Sequence, residues 1–171
     1  MKSGKSLFLT QAAMIAALYV VLTEVSNLFG LASYAVQIRF SEALTILPFF
    51  TPAAIPGLFV GCIISNLLVS ANLFDIMFGS LATLIGAVFT YNIRVYSSKY
   101  TQKAIWFAPI PPIISNTLII PLVLKYAYGL EPLWFSFITV FLGEFVSCGI
   151  LGIPLLFILR KYAKHIFITH N

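Results

Sequence analysis

The chain has 171 residues, of which 60% are hydrophobic and 9% charged, and its mean hydropathy is +1.01. A soluble domain carries about 25% charged residues. This composition therefore cannot furnish a polar shell, and it excludes a cytosolic enzyme, a disordered protein and a nucleic-acid-binding domain. The net charge of +5 is not gathered into a patch, so no nucleic acid is expected as a partner.

A single integral membrane domain over residues 1–171 remains, and at roughly 20 apolar residues per span five or six helices fit. Lys2 and Lys5 precede an apolar run from Leu7 to Leu31. That run is too long for the core of a signal peptide, despite the small residues of Ser33-Tyr34-Ala35. An uncleaved first helix over about Ser6 to Phe29 is expected. The next apolar stretch, Ser41 to Val69, contains Pro48, Pro52 and Pro56. As one α-helix it would be about 43 Å long, between one crossing and two. Further helices are expected from about Leu73 to Ile93, Ala104 to Lys125 and Pro132 to Arg160.

Charge resolves the ambiguous stretch. Basic residues cluster before the first helix, between the fourth and fifth (Arg94, Lys99, Lys103) and after the last (Arg160, Lys161, Lys164). The positive-inside rule assigns all three clusters to the cytoplasm, which demands an even number of crossings between them. Ser41 to Val69 is therefore read as two short or broken helices, or one re-entrant excursion, around Pro48, Thr51 and Pro52. The expected architecture is an all-α membrane bundle of six helices with both termini inside. Arg39 and Lys125 then face outward.

Catalytic motifs are scarce. Ser3-Gly4-Lys5-Ser6 matches the end of a P-loop, but the first glycine of that motif would precede residue 1 and no strand leads into it. No ATPase is expected within the chain. His165 and His170 lie in the tail, and no HExxH or GxSxG occurs. Cys62 and Cys148 lie in apolar runs without metal-ligand spacing. Neither a metal nor a cofactor is expected in this chain.

Small residues recur in the first helix at a spacing of four: Ala12 with Ala16, and Ala13 with Ala17. Such a ridge lets another backbone approach closely. It serves either packing within the bundle or docking of a partner protein. Gly57 and Gly61 make a second ridge.

The few acids are more informative. Glu24, about 27 Å from Ser6, lies near the outer interface, where it can snorkel. Glu42 begins the second helix, where the dipole favours an acid, and Asp75 pairs with Asn72 as a cap. Glu131 belongs to an outer loop. Glu144 lies about 18 Å into the last helix, among Phe141, Leu142, Phe145 and Val146. An acid at that depth is costly and is expected to face a cavity or a partner. Asn66 and Asn116 offer both donors and acceptors, for interhelical bonds or for a ligand. Trp134, Tyr126 and Tyr128 fit an interfacial aromatic belt or the walls of a site. Together these groups predict an outward pocket for a small, flat molecule rich in hydrogen-bonding groups, neutral or cationic.

The run Gln37-Ile-Arg-Phe-Ser-Glu-Ala-Leu-Thr-Ile-Leu-Pro48 resembles the hallmark of the QueT-type queuosine-precursor transporters. The likeness continues through Thr51 to Gly57, Gly61, Asn66 and Asp75 to Thr83. That family is a substrate-binding S-component of energy-coupling factor (ECF) transporters, a class of ABC importer. The resemblance implies a six-helix bundle with an outward site, in a bacterial plasma membrane. It implies docking of Ala12 and Ala16, flanked by Ala13 and Ala17, on a transmembrane coupling subunit. Two cytoplasmic ATPases would use the ATP. The implied ligand is a 7-deazaguanine precursor or queuine. On chemical grounds Glu144 or Glu42 would read the guanine edge, and the other acid or Asp75 would meet an amine. Asn66 and Asn116 would read the carbonyl and ring nitrogens, while Gln37 and Trp134 complete the candidate set. Arg39 would hold the loop or pair with Glu42. The alternatives are an S-component for another vitamin or nucleobase, a solitary facilitator, or a membrane enzyme using Glu24, Glu42 and Glu144.

Overall fold

The computed structural model describes residues 2–31, 38–70, 72–97 and 102–166. Gln37, Ser33 to Ala35, Lys99 and His170 fall outside those ranges. The described elements are all helical, with no strand among them.

Helix α1 runs from Lys2–Leu28. It stops at Gly30, whose φ of +70° is a left-handed conformation that only glycine adopts without cost. The Gly30 N–H bonds the Asn27 carbonyl at 2.8 Å, and the Leu31 N–H bonds that of Ser26 at 2.9 Å. This pair of bonds satisfies two carbonyls that the helix end would leave open.

A 3-10 segment, Phe40–Phe49, comes next. It descends antiparallel to α1, held at both ends. The Phe40 N–H bonds the Ser26 hydroxyl at 2.8 Å, and Thr51, just beyond the segment, bonds the Gln11 side chain at 3.1 Å. A 3-10 helix rises about 2 Å per residue, so ten residues cover about 20 Å where an α-helix would cover about 15 Å. The extended pitch lets a short, proline-containing stretch travel most of the way along α1. Arg94 caps its lower end by donating to the Phe50 carbonyl. Helix α2, Ala54–Val69, then returns parallel to α1. Pro56 sits in its first turn, where a missing N–H costs nothing. The expected pair of short helices broken around Thr51 and Pro52 is thus present, the first of them in 3-10 form.

The rest of the chain follows the expected plan. A π-turn at Asp75–Gly79 leads into α3, Ser80–Ser97. A 3-10 turn at Gln102–Phe107 precedes α4, Ile110–Tyr128. Helix α5, Leu133–Glu144, passes through a second π-turn, Phe145–Leu151, into α6, Gly152–Ile166, as one continuous rod. Four helical stretches are long and apolar enough to cross a membrane: Gly4–Leu28, Asp75–Ser97, Ala104–Tyr128 and Leu133–Tyr162. Their outward faces carry Leu9, Met14, Leu118 and Ile158 among other exposed apolar side chains, a surface suited to lipid.

The seam between α1 and α2 corrects one expectation. A Cβ at Gly57 would lie 2.7 Å from the Ala12 carbonyl oxygen, and one at Gly61 would lie 3.0 Å from that of Ala16. Ala12 and Ala16 are therefore buried inside the bundle against α2 and are not open to a docking partner. Their ridge and the glycine ridge are the two halves of one internal contact. Ala13 and Ala17 are exposed on the neighbouring face.

Candidate ligand site

One turn beyond the glycine seam, α1 turns polar on its inner face. Tyr19, Thr23 and Ser26 follow at spacings of four and three, and all are fully buried. Each reaches the 3-10 segment. The Tyr19 hydroxyl donates to Glu42 Oε1, Thr23 bonds Ser41 at 2.7 Å, and Ser26 receives the Phe40 N–H. This ladder fixes where Glu42 points.

Glu42 and Glu144 come together in the bundle interior, 3% and 8% exposed. Both line a cavity with Arg39, Asn116, Cys62 and Thr83, closed by Gly79, Ile120 and Val140. Asn116 Nδ2 donates to Glu42 Oε2 at 3.4 Å. Pro121 stands five residues later within α4, where its missing N–H loosens the helix next to Asn116. Glu144 ends α5, and the π-turn that follows brings Cys148 onto its face. The Cys148 thiol lies 3.3 Å from Glu144 Oε2 and 3.4 Å from the Glu42 carbonyl oxygen. Single ligand atoms of Glu42, Glu144 and Cys148 lie within 4.8 Å of one another.

A second polar layer covers the first. Arg39 Nη1 donates to Asn66 Oδ1 at 3.1 Å. Asn66 Nδ2 donates to the Asp75 carbonyl at 3.1 Å. The Tyr128 hydroxyl donates to Asp75 Oδ2 at 2.5 Å, tying the π-turn that precedes α3 to the end of α4. The cavity beneath measures about 20 Å³, room for a water molecule and no more.

The structure thus brings Glu42, Glu144, Asn116 and Arg39 to one cavity, with Asn66 and Asp75 in the layer above. It leaves Trp134 out. That ring is 64% exposed, stacks edge-on against Phe135 and does not line the cavity, because α5 turns its opposite face inward. Glu24 is half-buried on α1 and also lies outside the cavity lining. Of the two roles considered for Arg39, holding the loop or pairing with Glu42, the ion pair is not formed; the one ion pair among the described residues joins Lys125 to Glu131 at 3.0 Å. Tyr19, Cys62, Thr83 and Cys148 were not anticipated. The signal for them was the helical interval: Cys62 precedes Asn66 by four residues, Cys148 follows Glu144 by four, and Tyr19 begins the polar stripe of α1.

The family model for the QueT transporter matches residues 9–161. The chain belongs to the QueT transporter family. It is also 32% identical to the queuosine precursor transporter QueT of Lactococcus lactis subsp. cremoris strain MG1363, across 97% of this chain and 98% of that protein. No solved structure matches the chain. It is therefore a transporter and not an enzyme, and its four long apolar helices make it a multi-pass membrane protein.

Proposed function

We propose that this chain captures a queuosine precursor, a 7-deazaguanine or queuine, from outside the bacterial plasma membrane. It acts as the substrate-binding S-component of an ECF importer. The observation that carries the reading is the buried pair of carboxylates, Glu42 and Glu144, with the Asn116 amide beside them. A guanine-like edge offers N1–H and an exocyclic amine, which one carboxylate accepts together, while Asn116 and the Arg39 guanidinium suit the carbonyl. The Arg39, Asn66, Asp75 and Tyr128 layer is the outer door of this site.

Six crossings with cytoplasmic termini are supported by the two antiparallel passes of the 3-10 segment and α2 beside α1. Lys2, Lys5, Arg94, Arg160 and Lys161 then share the inner side. The coupling subunit docks on the exposed Ala13 and Ala17 face. Beside it runs an apolar groove of about 600 Å³ lined by Met14, Leu18, Val21, Leu44 and Leu155. Two ATPases supply the energy, and the chain itself needs no cofactor.

Titration of the purified protein with queuine and with aminomethyl- and cyano-7-deazaguanine, against thiamine and riboflavin, tests the substrate. Micromolar or tighter binding of a deazaguanine and not of the vitamins is expected; binding of none refutes it. Uptake by cells with and without the coupling module tests the assembly. Ala13→Trp should abolish coupled uptake and leave binding by the solitary protein intact. Uptake without the module would make the chain a solitary facilitator.

A further inference from the structure

The apolar groove of about 600 Å³ lies between α1 and α6. The Cys148 thiol meets the Glu42 carbonyl oxygen. One turn later, a Cβ at Gly152 would lie 3.4 Å from the Ile46 side chain and 3.6 Å from the Ala43 carbonyl oxygen. Helix α6 therefore descends beside the 3-10 segment, toward the end where Thr51 bonds Gln11. Leu44 and Leu47 of that segment floor the groove, Met14 and Leu18 of α1 form one wall, and Leu155 and Leu159 of α6 form the other.

The lower end of the groove is basic. Leu155, Leu159 and Tyr162 follow at intervals of four and three, so Tyr162 continues the groove face of α6 one turn further. The Lys161 ammonium lies over that ring, 5.5 Å from its centroid, and the neighbouring Arg160 is exposed. Neither cation has an ion-pair partner among the described residues. Across the groove, Gln11 Oε1 accepts the Thr51 hydroxyl, which leaves its amide N–H groups to donate. None of the five acids of the chain lines the groove.

We infer that this groove binds an anionic phospholipid, with an acyl chain along Leu18 and Leu155 and the phosphate at Lys161 and Arg160. Two features choose this occupant over a partner helix. Helices approach one another in a bilayer over small residues, whereas these walls are large side chains, with Ala17 alone small among them. An irregular trough of that kind suits a flexible chain better than a rigid backbone. Unpaired cations at one end of it supply what an anionic headgroup needs, as basic residues between helix ends do elsewhere. The inference concerns the lipid-facing surface, uses no residue of the cavity and is independent of the deazaguanine reading. A lipid seated there forms one edge of the Ala13 and Ala17 face.

Titration of lipids into the detergent-purified full chain, read by native mass spectrometry, tests it. Phosphatidylglycerol, an anion, should bind roughly 30-fold more tightly than zwitterionic phosphatidylcholine with identical chains, the scale for two basic side chains at a headgroup. Arg160→Gln together with Lys161→Gln should bring the two lipids within a few-fold of each other. Leu18→Trp, which fills the groove from an exposed position on its wall, should weaken both. Thermal melting verifies that the variants fold. Equal affinities in the unaltered chain, or a preference that survives the double substitution, overturn the inference. Undiminished lipid binding by the Leu18→Trp variant overturns it by placing the lipid elsewhere, and if that variant loses only coupled uptake, the groove belongs to the coupling subunit. Competition by free glycerol phosphate at the lipid's own concentration also overturns it, by reducing the site to a phosphate contact without the groove.

Discussion

Along α1, Ala12 and Ala16 meet Gly57 and Gly61 with no space for a Cβ. One turn further on, Tyr19, Thr23 and Ser26 cross to the 3-10 segment through hydrogen bonds. The first region is held by shape alone. Its backbones touch because both sides gave up their side chains, and it exposes no polar group to be satisfied. The second is held by matched donors and acceptors in an apolar interior, where a lost partner is expensive. The seam should tolerate a change of polarity better than a change of volume, and the ladder should do the reverse. Tyr19 belongs to both, since its Cβ would lie 2.9 Å from a Cβ at Gly61 while its hydroxyl holds Glu42.

Four substitutions probe that contrast. Gly57→Val should cost about 3 kcal/mol through overpacking, read as a large loss of melting temperature in the detergent-purified protein. An unchanged melt would mean that the helices part freely and that the seam is not rigid. Tyr19→Phe keeps the ring and removes the hydroxyl, leaving a buried carboxylate short of a donor. It should cost about 2 kcal/mol and weaken ligand binding as well. Loss of stability with unaltered affinity would separate Glu42 from the ligand. Thr23→Val removes one rung without touching the cavity. About 1 kcal/mol of stability should go, with affinity held within twofold, and a larger affinity change would extend the site up α1. Trp134→Phe should alter stability by less than about 0.5 kcal/mol and affinity not at all. A measurable fall in affinity would bring α5's outer face back into the site.

Much of this contrast was legible in the sequence, though not evenly. The count of helical stretches followed from the parity of basic clusters such as Lys2 and Lys5 against Arg94, and the depth of Glu144 marked it as an acid facing an internal cavity, which it lines. The alanine ridge was visible as a ridge, but its partner was not. A spacing of four says only that something approaches closely, and Gly57 and Gly61 are nearer than any second protein. Trp134 misled because an aromatic ring near a helix end suits a pocket wall and a lipid interface alike, and only the rotation of α5 distinguishes them. The 3-10 form of Phe40–Phe49 was hidden for another reason. An apolar stretch buried on nearly every side has no amphipathic period to read, and the helix type is chosen by the distance the segment must cover beside α1.

The π-turns at Asp75–Gly79 and Phe145–Leu151 both abut the cavity, and each holds about one residue more than an α-helix would in the same length. Deleting a single residue from Phe145–Leu151 would therefore restore an α-helix of about the same length, with α5 and α6 kept nearly in their present orientation. A deletion between Glu144 and Cys148 would bring the thiol from four residues after Glu144 to three and turn it off that face, although no side chain had been exchanged. A one-codon change in length is therefore a route by which this transporter can change what its deepest acid meets, separate from the slower route of substituting the residues that line the cavity.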